Sequence, residues 1–194
     1  MQTFYKKIIN WNIKLREINS SVAIIFLSAF MLGAAPFTLK SIDETYYNAN
    51  TIEDFLRTET LILDSLNSSP NRTDLLWRLA RNQFRIAKRT TDERQKLSLF
   101  ENCLNTAKKG ISIDKNSAEN IYYMGLCLGN ISLLKGILSS LSHREVLKSS
   151  MERAVEINPN VENAGPHRFL GVYFNVLPLC FGGDSAKAIC QLKP

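Results

Sequence analysis

Two stretches of the chain repeat one pattern, and this self-similarity constrains the fold more than any other feature of the sequence. Residues 107–125 and 151–171 each place a small residue, an apolar residue and an isoleucine before Asp114 or Asn158. A turn follows, and an apolar residue then stands directly before Gly125 or Gly171. Repeats of this kind are stacked units of paired helices, because one unit cannot bury its apolar face alone. The sequence therefore predicts an all-α helical-hairpin solenoid.

Apolar residues recur at helical spacing beyond residue 50, in stripes such as that formed by Trp77, Ala80, Phe84 and Ala87. Glycine and proline stand mostly between such runs, which disfavours a turn-rich β fold. One stretch, from 118 to about 141, reads as helix with interruptions near 129–130 and at 136. Residues 51–194 are assigned to the helical domain. Residues 38–50 are mostly polar and are predicted to be a linker.

A known repeat has the same marker residues. That repeat is marked by a bulky residue, by a Leu–Gly or Leu–Ala pair, and by an Ala and a Pro that close its second helix. The corresponding residues in this sequence are Trp77, Ala80, Phe84, Gly125, Ala154, Pro159 and Gly171. This resembles the tetratricopeptide (TPR) pattern, although Arg81 stands where a small residue is usual. The glycines let two helices approach closely, and Pro159 ends a helix where the chain turns. The resemblance implies a concave surface for a protein or peptide partner.

Two narrower resemblances overlap here. Residues 75–81 (LLWRLAR), 107–113 (AKKGISI) and 151–159 (MERAVEINP) resemble the TPR domain of the regulator of microtubule dynamics family. Residues 165–174 (GPHRFLGVYF) and 182–188 (GGDSAKA) are more similar to the T component of TRAP transporters, a periplasmic TPR-like protein. The first family often carries an N-terminal membrane segment, whereas the second is usually a lipoprotein. This chain has an apolar N-terminal segment and no lipobox cysteine, and neither resemblance supplies a catalytic residue.

The apolar segment is residues 22–37, which carry no charge. As a helix it would cover about 24 Å of a hydrocarbon core about 30 Å thick. Residues 1–21 form a basic tail, so the positive-inside rule places the helical domain on the non-cytoplasmic side, periplasmic or lumenal. The alternative is a cleaved secretory signal, because residues 33–35 are small; it would leave the domain secreted or periplasmic. Pro36 follows directly after the best cleavage position, which favours a retained anchor.

The net charge of +6 does not by itself indicate nucleic-acid binding. Four cations and one anion before residue 22 account for +3 of it, and membrane topology explains that excess. The four cysteines show no metal-ligand spacing. They are interpreted as small buried apolar residues, and a disulfide stays open as an alternative in an oxidising compartment.

A basic stripe lies on one predicted helix, where cations recur three and four positions apart: Arg78, Arg81, Arg85 and Lys88. One interpretation is a solvated face paired with acids such as Glu93 or Glu101. The other is an anion-binding strip, because clustered guanidinium groups suit bidentate oxyanions.

The apolar loop that contains Leu177, Leu179 and Phe181 is a second candidate site. It either plugs into the core or lines the mouth of a pocket, where a small-molecule ligand could bind. His143 and His167 are interpreted as structural, because no nucleophile or carboxylate pattern accompanies them. No enzyme, cofactor or metal site is therefore predicted. The last helix is short, so we expect either a truncated reading frame or a partner that covers that end.

Overall fold

Eight α-helices and one 3-10 turn follow one another through residues 38–193, the part of the chain that this computed structural model describes. The helices are α1 (Leu39–Asn48), α2 (Ile52–Ser68), α3 (Thr73–Arg89), α4 (Glu93–Ile113), α5 (Ala118–Lys135), α6 (Ile137–Ile157), α7 (Gly165–Val176) and α8 (Ser185–Leu192). The 3-10 turn, Leu179–Phe181, precedes α8. Each helix packs on the next, and α3 also packs on α5. The predicted all-α architecture is confirmed for this range.

None of the helices within residues 38–193 combines the length and the apolar character needed to cross a membrane. The predicted apolar segment 22–37 and the basic tail 1–21 lie outside the described residues.

Helix α1 corrects the prediction of a linker over residues 38–50. The Thr38 side chain caps the helix by accepting a hydrogen bond from the Ser41 backbone N–H at 3.2 Å. Ile42 and Tyr46, one turn apart, are both buried, and Ile42 packs against α2 and α3. The prediction failed because only two buried residues mark the apolar stripe of this short helix, and polar residues surround them.

Local sequence explains where α2 begins and where α5 ends. Thr51 and Asp54 form a capping box at the start of α2. The predicted break at Gly136 separates α5 from α6, and its φ of +99° lies in a region that favours glycine. The break predicted near 129–130 is absent, because α5 continues through these residues to Lys135.

The repeat-packing residues hold successive helices together. Ala80 and Ala154 are completely buried, and Trp77 and Phe84 lie half-buried against the main core. Pro159 lies exposed, just after the last residue of α6. A side chain at Gly125 would overlap the terminal methyl of Met151 on α6, and one at Gly171 would come within 2.6 Å of Leu192 on α8. A larger residue at either position would therefore force Met151 or Leu192 to move, so these glycines favour the close packing of the two helix pairs.

The main core lies between α3 and α8 and includes Phe100, Cys103, Cys127, Met151 and Leu170, each almost fully buried. Each large apolar side chain in it contributes about 1.5–3 kcal/mol. Cys103 of α4 and Cys127 of α5 form a disulfide, with their Cα atoms 6.2 Å apart. These two cysteines are buried as predicted, and they form the disulfide that the sequence left open as an alternative. Cys180 and Cys190 are free and exposed, so the prediction that the cysteines are buried is wrong for these two.

Candidate functional site

Arg81 lies at the centre of a buried polar cluster that joins α1, α3 and the turn before α7. Its side chain is only 1% exposed. One guanidinium nitrogen lies 2.6 Å from the Asp43 carboxylate, and another lies 3.7 Å from that of Glu162. The guanidinium plane stacks on the Tyr46 ring, 3.7 Å from its centroid. The buried charge therefore has both carboxylate partners and an aromatic face, as a buried guanidinium requires.

Arg78 binds the same carboxylate from one turn earlier on α3. Its Nε and Nη2 atoms donate to Asp43 at distances of 2.6–3.0 Å, and its Nη1 donates to the Asp74 carbonyl at 2.9 Å. Asp43 thus accepts hydrogen bonds from two guanidinium groups. This bridge fixes α1 along α3.

The four residues of the predicted basic stripe do not share one environment in the structure. The solvated-face interpretation is wrong for two of them. Arg78 and Arg81 are used inside the domain, whereas Arg85 and Lys88 are exposed. Glu101, one of the acids expected to pair with the stripe, instead bonds Lys135 at 3.1 Å. The acid that pairs with the stripe is Asp43, which lies in the predicted linker. The helical spacing of Ile42 and Tyr46 is the signal that could have revealed it.

The Asp43 bridge makes stability depend on pH. Burial alone raises the pKa of the Asp43 carboxyl, but the hydrogen bonds and charges of Arg78 and Arg81 outweigh it and hold the pKa below its usual value. Because the folded-state pKa is the lower one, the ionised carboxylate stabilises the fold above its unfolded-state pKa, about 3.9. This contribution is lost as the pH falls through the folded-state value.

We therefore expect Asp43→Asn to lower stability at pH 7 and to make the loss of stability below about pH 4 shallower than in the wild type. Urea unfolding of both proteins at pH 7 and at steps down to pH 3 measures this. The exposed Asp64→Asn is the control and should leave the acid slope unchanged. Equal acid slopes for the wild type and Asp43→Asn would contradict the assignment.

A groove of about 690 Å³ opens beside this cluster. Residues from α1, α2, α3, α5 and α7 and from two connecting segments line it: Tyr46, Tyr47, Ala49, Phe55, Phe84, Arg85, Arg89, Tyr122, Tyr123, Leu126, Asn160, Glu162, Asn163 and Arg168. Aromatic rings and guanidinium groups predominate. Such a surface can bury apolar side chains of a ligand and bind its anionic groups at the same time.

Neutral partners position the groove's three arginines. The Nε of Arg85 donates to the Tyr46 hydroxyl at 2.9 Å, and burial raises the pKa of that hydroxyl, so it stays protonated. The Arg89 guanidinium lies over the Phe55 ring, 4.6 Å from its centroid. Arg168 donates to the backbone carbonyls of Glu162 and Asn163. Among the described residues, none of the three arginines forms an ion pair with a carboxylate.

The turn that carries Glu162 has an uncommon backbone. Glu162, Asn163 and Ala164 have φ values of 47°, 56° and 59°, the left-handed region that non-glycine residues rarely adopt. The Val161 carbonyl accepts a hydrogen bond from the Gly165 N–H across the turn, at 2.8 Å. Together with Arg168 this contact holds the turn, and the turn places Glu162 against Arg81.

The second predicted site lies apart from the groove. Leu179 is 87% exposed, so it does not plug into the core, and Leu177, Leu179 and Phe181 do not line the groove. The Arg144 guanidinium lies over the Phe181 ring, 5.7 Å from the ring centroid. Within residues 38–193 no cluster of His, Cys, Asp and Glu could hold a metal ion. His143 contacts the Ser139 carbonyl at 2.9 Å, and His167 contacts Gln191 at 2.7 Å.

Paired helices around a groove define a TPR-like helical repeat protein. A crystal structure of a thermophilic TPR protein from Thermus thermophilus has a similar fold, with a TM-score of 0.52 and 14% sequence identity. The match covers 85% of this chain and 83% of the other. At this identity the likeness concerns the fold alone.

Residues 38–174 match the family described as regulator of microtubule dynamics protein 1-3, and the chain belongs to this family. Regulator of microtubule dynamics protein 1 from Bos taurus is 27% identical over 136 residues, which are 69% of this chain and 43% of the relative. The Pongo abelii protein is 32% identical over 88 residues, 44% of this chain and 28% of the relative. The chain thus aligns with less than half the length of these relatives. These matches give the transporter-component resemblance no support.

Proposed function

We propose that this chain is a non-enzymatic, membrane-tethered interaction module whose groove binds an extended segment of a protein partner. The observation that supports the proposal is the groove itself, which has aromatic walls and three guanidinium groups that pair with no carboxylate within residues 38–193. Open aromatic and arginine side chains are the types that contribute most binding energy in protein interfaces. The relatives are named for the regulation of microtubule dynamics, whereas the proposal of partner binding rests on the groove of this chain.

The tether in this proposal is residues 22–37, with the basic tail 1–21 in the cytoplasm and the helical domain on the other side of the membrane. The Cys103–Cys127 disulfide supports this side, because disulfides persist in oxidising compartments. Extraction of the full chain from membranes by alkaline carbonate would contradict the tether.

Site-specific photo-crosslinking tests partner binding. Tyr47 lines the groove and is 70% exposed, so p-benzoylphenylalanine can replace it at the cost of one hydrogen bond, which the Tyr47 hydroxyl accepts from Arg81 at 3.3 Å. We expect this variant of the full chain to give one discrete adduct in the native cell, with the crosslink mapped to one continuous segment of the partner. The same photoprobe at Leu63, exposed on α2 and outside the groove, is the control. Adducts only from position 63, or from neither position, would contradict the proposal.

A further inference from the structure

Some of the charged side chains in and around the groove are neutralised by ion pairs, and others are not. In the buried cluster, the two guanidinium groups of Arg78 and Arg81 face two carboxylates, those of Asp43 and Glu162. This cluster is electrically neutral. Of the residues between 38 and 193 that line the groove, Glu162 is also the one that is acidic. Within the described part of the chain, the positive charges of Arg85, Arg89 and Arg168 are therefore left without a compensating carboxylate.

We infer that the groove recognises an acidic protein segment, whose Asp or Glu carboxylates bind Arg85, Arg89 and Arg168 while neighbouring apolar side chains pack on the aromatic walls. This inference rests on the proposed function and specifies its ligand.

The three arginines are positioned before a ligand arrives. The Tyr46 hydroxyl, the Phe55 ring and two backbone carbonyls hold their guanidinium groups without neutralising them. A ligand carboxylate then gains charge-assisted hydrogen bonds at a reduced entropic cost, because the side chains are already partly fixed.

The groove's shape and lining favour a peptide over other anions. A flat bilayer surface does not follow a concave groove, and a bare phosphate would leave the rings of Phe84 and Tyr122 uncovered. The chain's own basic tail is excluded by charge, since residues 1–21 carry four cations against one anion. An extended segment that alternates acidic and apolar residues satisfies both parts of the lining.

Glu162 sets the strength of this interaction. Its carboxylate lines the groove and repels an acidic ligand, while it also pairs with Arg81 at 3.7 Å. In Glu162→Gln the buried cluster gains one unit of positive charge next to the groove. We therefore expect the Glu162→Gln variant to bind acidic peptides about threefold to tenfold more tightly than the wild type does.

The test is a positional-scanning array of nine-residue peptides probed with the detergent-solubilised full chain. We expect Asp and Glu to be selected at two or more positions, next to aromatic or aliphatic residues. Arg85→Gln/Arg89→Gln should weaken the selected peptides about tenfold or more. Arg94→Gln/Lys109→Gln removes the same charge from exposed positions on α4 outside the groove and should have little effect. Arg85→Lys/Arg89→Lys keeps the charge and should retain part of the binding.

The outcomes separate the inference from the proposed function. Peptide binding without acidic selection, or binding that survives the Arg85→Gln/Arg89→Gln change, overturns the inference and leaves the interaction module intact. Weaker binding by Glu162→Gln also overturns it. If no peptide binds the wild-type chain, the proposed function fails as well. If phosphatidylserine-containing vesicles bind through Arg85 and Arg89 while peptides show no acidic selection, the ligand is a lipid headgroup and the inference is overturned.

Discussion

Arg81→Ala is expected to lower the free energy of unfolding by about 3–5 kcal/mol, the usual cost of breaking a buried ion pair from one side. The substitution leaves Glu162 without its cation and removes one of the two guanidinium groups on Asp43. It also empties the space against the Tyr46 ring, so α1 loses its stacking contact with α3. Urea unfolding of the full chain, followed by far-UV circular dichroism, measures the change.

Two further variants locate the origin of this loss. Lys88→Ala, at the exposed end of the same helix, should change stability by about 0.5 kcal/mol or less. Arg81→Met restores the volume without the charge, and it should recover part of the stability because Arg78 still pairs with Asp43. A loss below about 1 kcal/mol for Arg81→Ala would mean that the buried cluster does not hold α1 in place.

The second large effect concerns the disulfide between α4 and α5. The double variant Cys103→Ala/Cys127→Ala is expected to lose about 3 kcal/mol relative to the oxidised wild type, because the bond closes a loop of 24 residues in the unfolded chain. The two small side chains it removes lie in the main core, so lost packing adds to the effect. Thermal unfolding of the full chain without reductant measures the difference.

Cys180→Ala/Cys190→Ala provides the matched control, since both of these thiols are exposed and unpaired. It should leave the melting temperature nearly unchanged. Alkylation in intact cells before lysis should label these two cysteines and spare Cys103 and Cys127. Labelling of all four in the unreduced, unfolded chain would show that the bond is absent in the cell, and would also remove the support that it gives to a non-cytoplasmic location.

Much of the fold could be predicted because its signals are local in sequence. The apolar stripe of α3, the glycines at 125, 136 and 171, and the end of α6 before Pro159 each follow from spacing within one or two helices. Helix-pair repeats have low contact order, so local patterns determine most of their architecture. The family resemblance was carried by the same short stretches, and the match over residues 38–174 confirms it.

The candidate site was harder to predict because its partners are far apart in sequence. Asp43 and Arg81 are 38 residues apart, and Arg85 meets Tyr46 across 39 residues. Periodicity along α3 placed the four basic residues on one face, but it could not distinguish the two that bind Asp43 from the two that face solvent. The assignment of residues 38–50 to a linker removed the acid that explains the difference.

The sequence by itself determined most of the helices, the order of the hairpins and the glycines where neighbouring helices approach closely, because these signals come from residues within one helix or two successive ones. Only the tertiary structure decided which arginines are neutralised, that Cys103 and Cys127 form a bond, and that a left-handed turn brings Glu162 to Arg81. Those outcomes depend on α1 packing along α3 and on the stacking of successive hairpins. Electrostatic pairing requires proximity in space, and periodicity within one helix does not encode that proximity.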